Sequence, residues 1–204
     1  MTQTQLRRWV FKPIVWVLCL TPLALLVYGL YLDLGANPVE TVTNTTGIWT
    51  LRFVVITLAI TPLRWLTGFN QLINYRRLVG LFAFFYGSLH FLTYAFLDHQ
   101  FDVTTMWEDV RLRPYITAGF TAFVLMIPLA LTSTAGWIRR LGGRNWNRLH
   151  ALIYITAAAA VLHYYWKVSI KMPPVNPRNY AILVAILLGF RAWRYFARRR
   201  ASEV

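Results

Sequence analysis

The sequence predicts an all-α integral membrane protein, a bundle of six transmembrane helices with both termini on the cytoplasmic side. Three observations carry that expectation. Of the 204 residues, 57% are hydrophobic and only 14% charged, an apolar share beyond that of an ordinary soluble domain. Six stretches reach the roughly 20 apolar residues that a helix needs to cross a bilayer: residues 13–32, 47–66, 78–97, 114–132, 147–166 and 179–197. The formal charge of +14 follows the membrane rather than a nucleic acid, because the basic residues gather at alternate span ends, which the positive-inside rule assigns to the cytoplasm.

The first span follows Arg7, Arg8 and Lys12. Its run from Pro13 to Leu32 is too long for the core of a signal peptide and no small-x-small cleavage pattern follows, so it reads as a permanent anchor. It holds Cys19, the single cysteine, which has no partner for an intramolecular disulfide. An outer loop with Asp33, Asn37-Pro38 and Glu40 leads to the second span, and Arg64, Arg76 and Arg77 separate the second from the third. Asp98, Asp102, Glu108 and Asp109 fill the next outer loop before Pro114, a typical first residue of a helix, opens the fourth span. Arg139, Arg140, Arg144 and Arg148, with Gly142-Gly143 among them, lie before the fifth. The last outer loop, with Lys167, Lys171, Pro173-Pro174, Asn176-Pro177 and Arg178, is basic against the trend, and Arg194, Arg198, Arg199 and Arg200 close the chain. Trp9, Trp49, Trp65, Trp107, Trp137, Trp146 and Trp166 sit near span ends, where an indole anchors at the headgroups.

Residues 1–204 thus read as one transmembrane domain. Nothing of soluble-domain size remains outside the spans, and no G-x-G-x-x-G, P-loop, C-x-x-C-H or H-E-x-x-H pattern occurs. Nucleotide chemistry and metalloprotease chemistry are therefore not expected of this chain itself.

Three of the four histidines, His90, His150 and His163, fall inside apolar spans. An imidazole in hydrocarbon needs a partner, and neutral imidazole is the commonest protein ligand of a metal centre. With both termini inside, the third and fifth spans run in the same direction, so His90 and His163 reach similar depth in the outer half. Two imidazoles at one depth on neighbouring helices are what the two faces of a b-type haem require. Thirteen residues earlier on the same spans come Arg77 and His150, roughly 20 Å deeper at about 1.5 Å per residue. That second level is incomplete, since a guanidinium stays protonated and is a poor iron ligand; Arg77 is better suited to a haem propionate or a flavin phosphate. Thirteen residues at about 100° each also set His150 and His163 roughly 140° apart around an ideal helix. His99, past the end of its span, reads as a solvated loop residue.

Arg52 lies several residues into the second span, where an unpaired charge is costly, and is expected to meet a haem propionate or a quinone headgroup unless it snorkels to the interface. Arg139, Arg140 and Arg144 suit an anionic flavin phosphate, although positive charge that merely sets topology is the commoner explanation for any one of them. Asp102, Glu108 and Asp109 offer a docking surface to a partner on the outer side. The residues then leave two function classes. One is a membrane electron carrier that holds haem and leaves substrate chemistry to a partner, with no catalytic residue of its own. The other is a haem-free scaffold or transporter with structural histidines; the near absence of acidic and amide residues inside the spans stands against the transporter, and the scaffold predicts no visible absorbance.

The motifs Arg76-Arg77-Leu78-x-Gly80-Leu81, Leu89-His90, Arg113-Pro114-Tyr115, Leu131-Thr132-Ser133-Thr134, Asn145-Trp146-x-x-Leu149-His150 and His163-Tyr164-x-Trp166, in this order, make nearly the whole chain resemble the MsrQ (YedZ) family. That resemblance implies a ferric-reductase and NADPH-oxidase-like transmembrane domain, which holds b-type haems between two helices. It implies a haem-binding subunit of the bacterial inner membrane that forms a heterodimer with MsrP, a periplasmic molybdopterin protein that reduces methionine sulfoxide. It further implies haem b and FMN as cofactors and electrons from the quinone pool, with a cytoplasmic flavin reductase as the other possible donor. The haem-ligand role carries over to His90, His150 and His163. Where NADPH oxidases have a fourth histidine, this chain has an arginine at or near Arg77.

Overall fold

A computed structural model describes residues 5, 7–33, 35–168 and 176–201 of the chain; Lys171 and the Pro173-Pro174 turn lie outside them. Eight α-helices of eight or more residues are described, and six candidate membrane spans run through them. One end of the bundle carries the arginine-rich joints and the other carries Asp33, Glu40 and Asp98 to Asp109; they are called here the basic end and the acidic end.

Helix α1 (Lys12–Leu32) follows a π-helical turn and lies on the outside of the bundle, burying only Cys19, Pro22 and Leu26. Proline inside a helix removes a backbone donor and opens the ladder around it. At Pro22 the opening is filled by Tyr86 from another helix: its hydroxyl donates to the Cys19 carbonyl at 2.9 Å and accepts from the Leu23 N–H at 3.0 Å. The tyrosine is 1% exposed, so the bond that fastens α1 is out of reach of solvent.

Helix α2 (Pro38–Thr67) is the central element, with Leu51, Phe53, Val54, Val55, Leu58 and Ile60 all buried. It starts well before residue 47, where hydropathy alone begins the second span. Asn37 caps it by accepting from the Glu40 N–H. The polar run that follows stays helical because Thr41, Thr43, Thr46 and Thr50 each donate to the carbonyl four residues earlier and so need no water. Pro62, also inside α2, deprives the Leu58 carbonyl of its helical donor, and Arg191 supplies one at 2.8 Å. Gly68, at φ +71, ends the helix in the left-handed conformation that glycine adopts without strain.

Helix α3 (Ile73–Thr93) runs back toward the acidic end and is prolonged by a π-helical turn, Tyr94–Asp98. Outside the spans, α4 (Val103–Leu112) is capped by Asp102, which accepts from the Thr104 and Thr105 N–H groups. Helix α5 (Pro114–Leu131) returns to the basic end. There α6 (Ala135–His150) bends at Gly142, whose φ of +73 a residue with a side chain rarely adopts, and leaves Arg139, Arg140, Arg144 and Arg148 exposed. The fifth span of the sequence reading therefore begins inside α6; the membrane helix proper, α7 (Leu152–Val168), starts after a tightened turn at Ala151, whose N–H is shared between the Asn147 and Arg148 carbonyls. Helix α8 (Pro177–Ala201) completes the bundle.

The most extensive packing joins α2 to α3 and α5 to α7. Aromatic side chains knit the layers together: Phe53 meets Tyr86 at 5.2 Å between ring centres, and Phe91 stacks on Phe123 at 4.8 Å across α3 and α5. The two helix pairs therefore meet face to face with a space between them.

Candidate cofactor site

That space is a cavity of about 720 Å³, lined by residues of α2, α3, α5 and α7 and open toward the acidic end, a size typical of cofactor pockets (roughly 300–1,000 Å³). Two histidines face each other across it. His90 on α3 and His163 on α7 have ring centres 6.0 Å apart, with planes inclined at 70°. The Nδ1 of His90 lies 2.9 Å from the Thr43 carbonyl, and the Nδ1 of His163 lies 2.6 Å from the Tyr115 carbonyl. A carbonyl only accepts, so both Nδ1 atoms carry the proton and both Nε2 atoms keep a lone pair. This is how metal-binding histidines are usually oriented.

The fit to a metal can be judged from these distances. Two metal–imidazole bonds of about 2.0–2.1 Å on opposite sides of a metal, with roughly 1.1 Å from nitrogen to ring centre on each side, place ring centres about 6.3 Å apart, close to the observed 6.0 Å. Among the described residues no group of three or more His, Cys, Asp or Glu side chains is placed to hold an ion. A metal held by this pair alone must bring its remaining ligands with it, as a haem does.

Each ring also rests on a glycine. A Cβ built on Gly47 of α2 would stand 2.9 Å from the His90 ring, and one on Gly119 of α5 only 2.7 Å from His163 Nδ1. Small residues at these two positions let the helices close on the imidazoles. The cavity wall is apolar at its deep end, with Leu51, Val54, Phe123 and Met126, and polar toward the acidic end, with Lys167 and Arg113. The Tyr94 hydroxyl, on another lining residue, is buried with no hydrogen-bond partner among the described residues, a donor available to a polar group of a ligand.

Arg52 reaches the cavity from α2. Its Nε donates to the Tyr180 hydroxyl at 3.2 Å and its guanidinium lies 4.6 Å from the centre of the Trp49 ring. At the mouth, His99 is less solvated than a loop position suggests. Its Nε2 pairs with Asp109 at 3.2 Å and its ring packs on Tyr94 at 4.5 Å. Asp109 also holds Arg113 at 3.1 Å. The Arg113 guanidinium is raised above its ordinary pKa, first by a hydrogen bond with Tyr115 and then by Asp109. Of the three acidic residues singled out for docking, Asp102 is thus a helix cap and Asp109 an internal ion-pair partner, while Glu108 is exposed.

His150 is placed differently. It ends α6, outside the cavity lining, with its ring stacked 3.8 Å from that of Trp146. Its Nε2 lies 3.0 Å from the Thr132 hydroxyl, which itself donates to the Pro128 carbonyl at 2.6 Å. The hydroxyl has one proton, already used, so it accepts from His150 and Nε2 carries the ring proton. The charge within reach of His150 is Arg76, a half-buried side chain that donates to Thr61; Arg77, one residue on, is exposed. Arg139, Arg140 and Arg144 stay on the exposed surface of α6, with Arg140 lying over the Trp137 ring at 5.5 Å.

Sequence reasoning missed Thr43, Tyr115, Gly47 and Gly119. The first two act through backbone carbonyls, which leave no mark in residue type. A glycine at helical spacing inside a span was the available signal for the other two.

Comparison with known proteins follows the same line. The family described as "Ferric reductase like transmembrane component" matches residues 46–161. The chain is 52% identical over 180 residues to the protein-methionine-sulfoxide reductase heme-binding subunit MsrQ of Ralstonia nicotianae, an alignment covering 88% of this chain and 83% of that one. It is 48% identical over 193 residues to the MsrQ of Herminiimonas arsenicoxydans, covering 94% and 88%. It is 46% identical over 195 residues to that of Polaromonas naphthalenivorans, covering 94% and 89%. No solved structure matches the chain.

Proposed function

The chain belongs to the MsrQ family of ferric-reductase-like multi-pass membrane proteins, and from that membership we propose that it is the haem-binding subunit of a bacterial inner-membrane system that reduces methionine sulfoxide in periplasmic proteins. It receives electrons from quinol or from a flavin donor and delivers them to a soluble molybdopterin reductase of the MsrP type, which carries out the substrate chemistry. The observation that supports this reading is the His90 and His163 pair, with ring centres 6.0 Å apart and Nδ1 protons committed to carbonyls.

A b-type haem bound there supplies one-electron redox chemistry at its iron. The chain's residues do the rest. His90 and His163 would hold the group through Nε2, and Thr43 and Tyr115 fix the tautomer and ring orientation through their carbonyls. Gly47 and Gly119 give the rings room. The apolar wall of Leu51, Val54, Phe123 and Met126 keeps water from the deep end, and Arg52, Arg113 and Lys167 line the same cavity as cations suited to propionate groups. FMN and its phosphate are assigned to the basic end, where Arg139, Arg140 and Arg144 are exposed. The acidic end faces the periplasm, with Glu108 as the exposed carboxylate of the docking helix α4.

The test is an oxidised and a dithionite-reduced visible spectrum of the detergent-purified protein, with haem quantified per chain. The expected result is one b-type haem with a six-coordinate spectrum, lost in His90→Ala and in His163→Ala. Well-folded wild-type protein without haem after expression with ample haem supply would overturn the proposal.

A further inference from the structure

The basic end gathers four guanidinium groups that the proposed haem site does not use. Arg64 sits in the last turn of α2 and Arg76 in the first turn of α3, while Arg191 and Arg194 stand three residues apart on one face of α8. Arg76 lies within electrostatic reach of both Arg64 and Arg191. Arg194 lies over the ring of Trp65, the neighbour of Arg64, at 4.6 Å. All four are half-buried.

The protein answers only part of this demand. Arg76 reaches Thr61 at 3.3 Å, and Arg191 reaches the Tyr154 hydroxyl and the Leu58 carbonyl, both at 2.8 Å. The Nε atoms of Arg191 and Arg194 are buried with no hydrogen-bond partner among the described residues. Every described acidic residue, Asp33, Glu40, Asp98, Asp102, Glu108 and Asp109, lies at the acidic end, so no described carboxylate offsets the four charges. Like charges held together at low dielectric, with orphaned N–H groups among them, are costly without an anion. A group with several oxygen acceptors and a negative charge is the complement of such a guanidinium cluster.

The position says which anion. The cluster lies among the ends of three membrane helices, and α8, which supplies two of its members, leaves Ile182, Ile186, Trp193, Tyr195 and Phe196 exposed along its length. A ligand there has its charged group among arginines and an apolar body along α8. Basic pockets between transmembrane helices hold anionic lipid headgroups on this principle. We propose that Arg64, Arg76, Arg191 and Arg194 form a site for the phosphodiester headgroup of an anionic phospholipid in the leaflet at the basic end.

The experiment compares wild type with an Arg64→Gln/Arg194→Gln double variant, which spares the Leu58 and Thr61 hydrogen bonds. Lipid retained through purification is measured by native mass spectrometry. Thermal unfolding is followed in nanodiscs of phosphatidylcholine alone, with added phosphatidylglycerol or cardiolipin, and in phosphatidylcholine with inorganic phosphate or FMN in solution. Wild type should retain anionic lipid selectively and unfold at a higher temperature in anionic nanodiscs. The double variant should bind that lipid roughly 30-fold more weakly, two arginines each contributing at the membrane surface, with haem content and spectrum unchanged. Equal retention of zwitterionic and anionic lipid by wild type overturns the site, and that arm needs no variant. Equal stabilisation by phosphate or FMN in neutral nanodiscs overturns the lipid in favour of a soluble phosphate. A change in haem spectrum in the double variant overturns it in favour of the haem site.

Discussion

The histidines at the two ends of the bundle differ in what their ring nitrogens meet. At the acidic end, His90 and His163 give their Nδ1 protons to the Thr43 and Tyr115 carbonyls and keep Nε2 free. At the basic end, His150 spends its Nε2 proton on the Thr132 hydroxyl and stacks on Trp146. The pair faces a cavity, whereas the single histidine faces a neighbour's hydroxyl and an arginine. What distinguishes the pair from the single histidine is thus the partner of the other ring nitrogen, which depth in a membrane span does not specify.

The sharpest way to break that contrast is to disturb the glycines behind the pair. Gly119→Ala puts a methyl group 2.7 Å from His163 Nδ1, where Gly143→Ala meets nothing within 4 Å. Gly119→Ala is expected to lose most bound haem per folded chain and Gly143→Ala none, as read by visible absorbance. Equal haem in the two would mean the ring positions do not govern binding.

The bond that fastens α1 separates stability from the site. Tyr86→Phe strands the Leu23 N–H and the Cys19 carbonyl in an apolar interior, which costs about 1–3 kcal/mol. Denaturant titration in detergent should show that loss while the haem spectrum stays as it is. At the other end, His150→Ala removes one hydrogen bond and a stacked ring, a loss of about 0.5–1.5 kcal/mol. The haem complement should be unchanged; loss of a whole equivalent would give the basic end a haem of its own and erase the distinction drawn above.

The smallest expected effect comes from Arg52. Its positive charge on the cavity wall would disfavour the oxidised state of a haem held there, so Arg52→Leu should lower the haem midpoint potential by about 30–60 mV, roughly 59 mV corresponding to about 1.4 kcal/mol for one electron. A redox titration that shows no shift would leave the residue with only its Tyr180 bond and its Trp49 contact.

The spans were largely legible because a bilayer demands long apolar helices, and the errors have local causes. Helix α2 begins at Pro38 rather than near 47 because its threonines satisfy their own helix. The expected fifth span, 147–166, starts in the last turn of the amphipathic α6, and α7 itself begins at Leu152. Trp49, Trp65 and Trp146, expected at span ends, also pack on Arg52, Arg194 and His150, contacts the sequence did not show. Side-chain pairing of this kind depends on how helices rotate about their axes, which periodicity constrains weakly when a helix is apolar nearly all round.

By itself the sequence determined the membrane class, the number of spans and the candidate status of His90 and His163, because hydrophobic length and a buried imidazole are properties of residue type. Only the tertiary structure decided which arginine faces His150, that Asp109 is an internal partner of His99 and Arg113, and which carbonyls hold the two rings. Those outcomes rest on contacts between helices far apart in the chain, made by backbone carbonyls and hydroxyls whose direction only packing fixes.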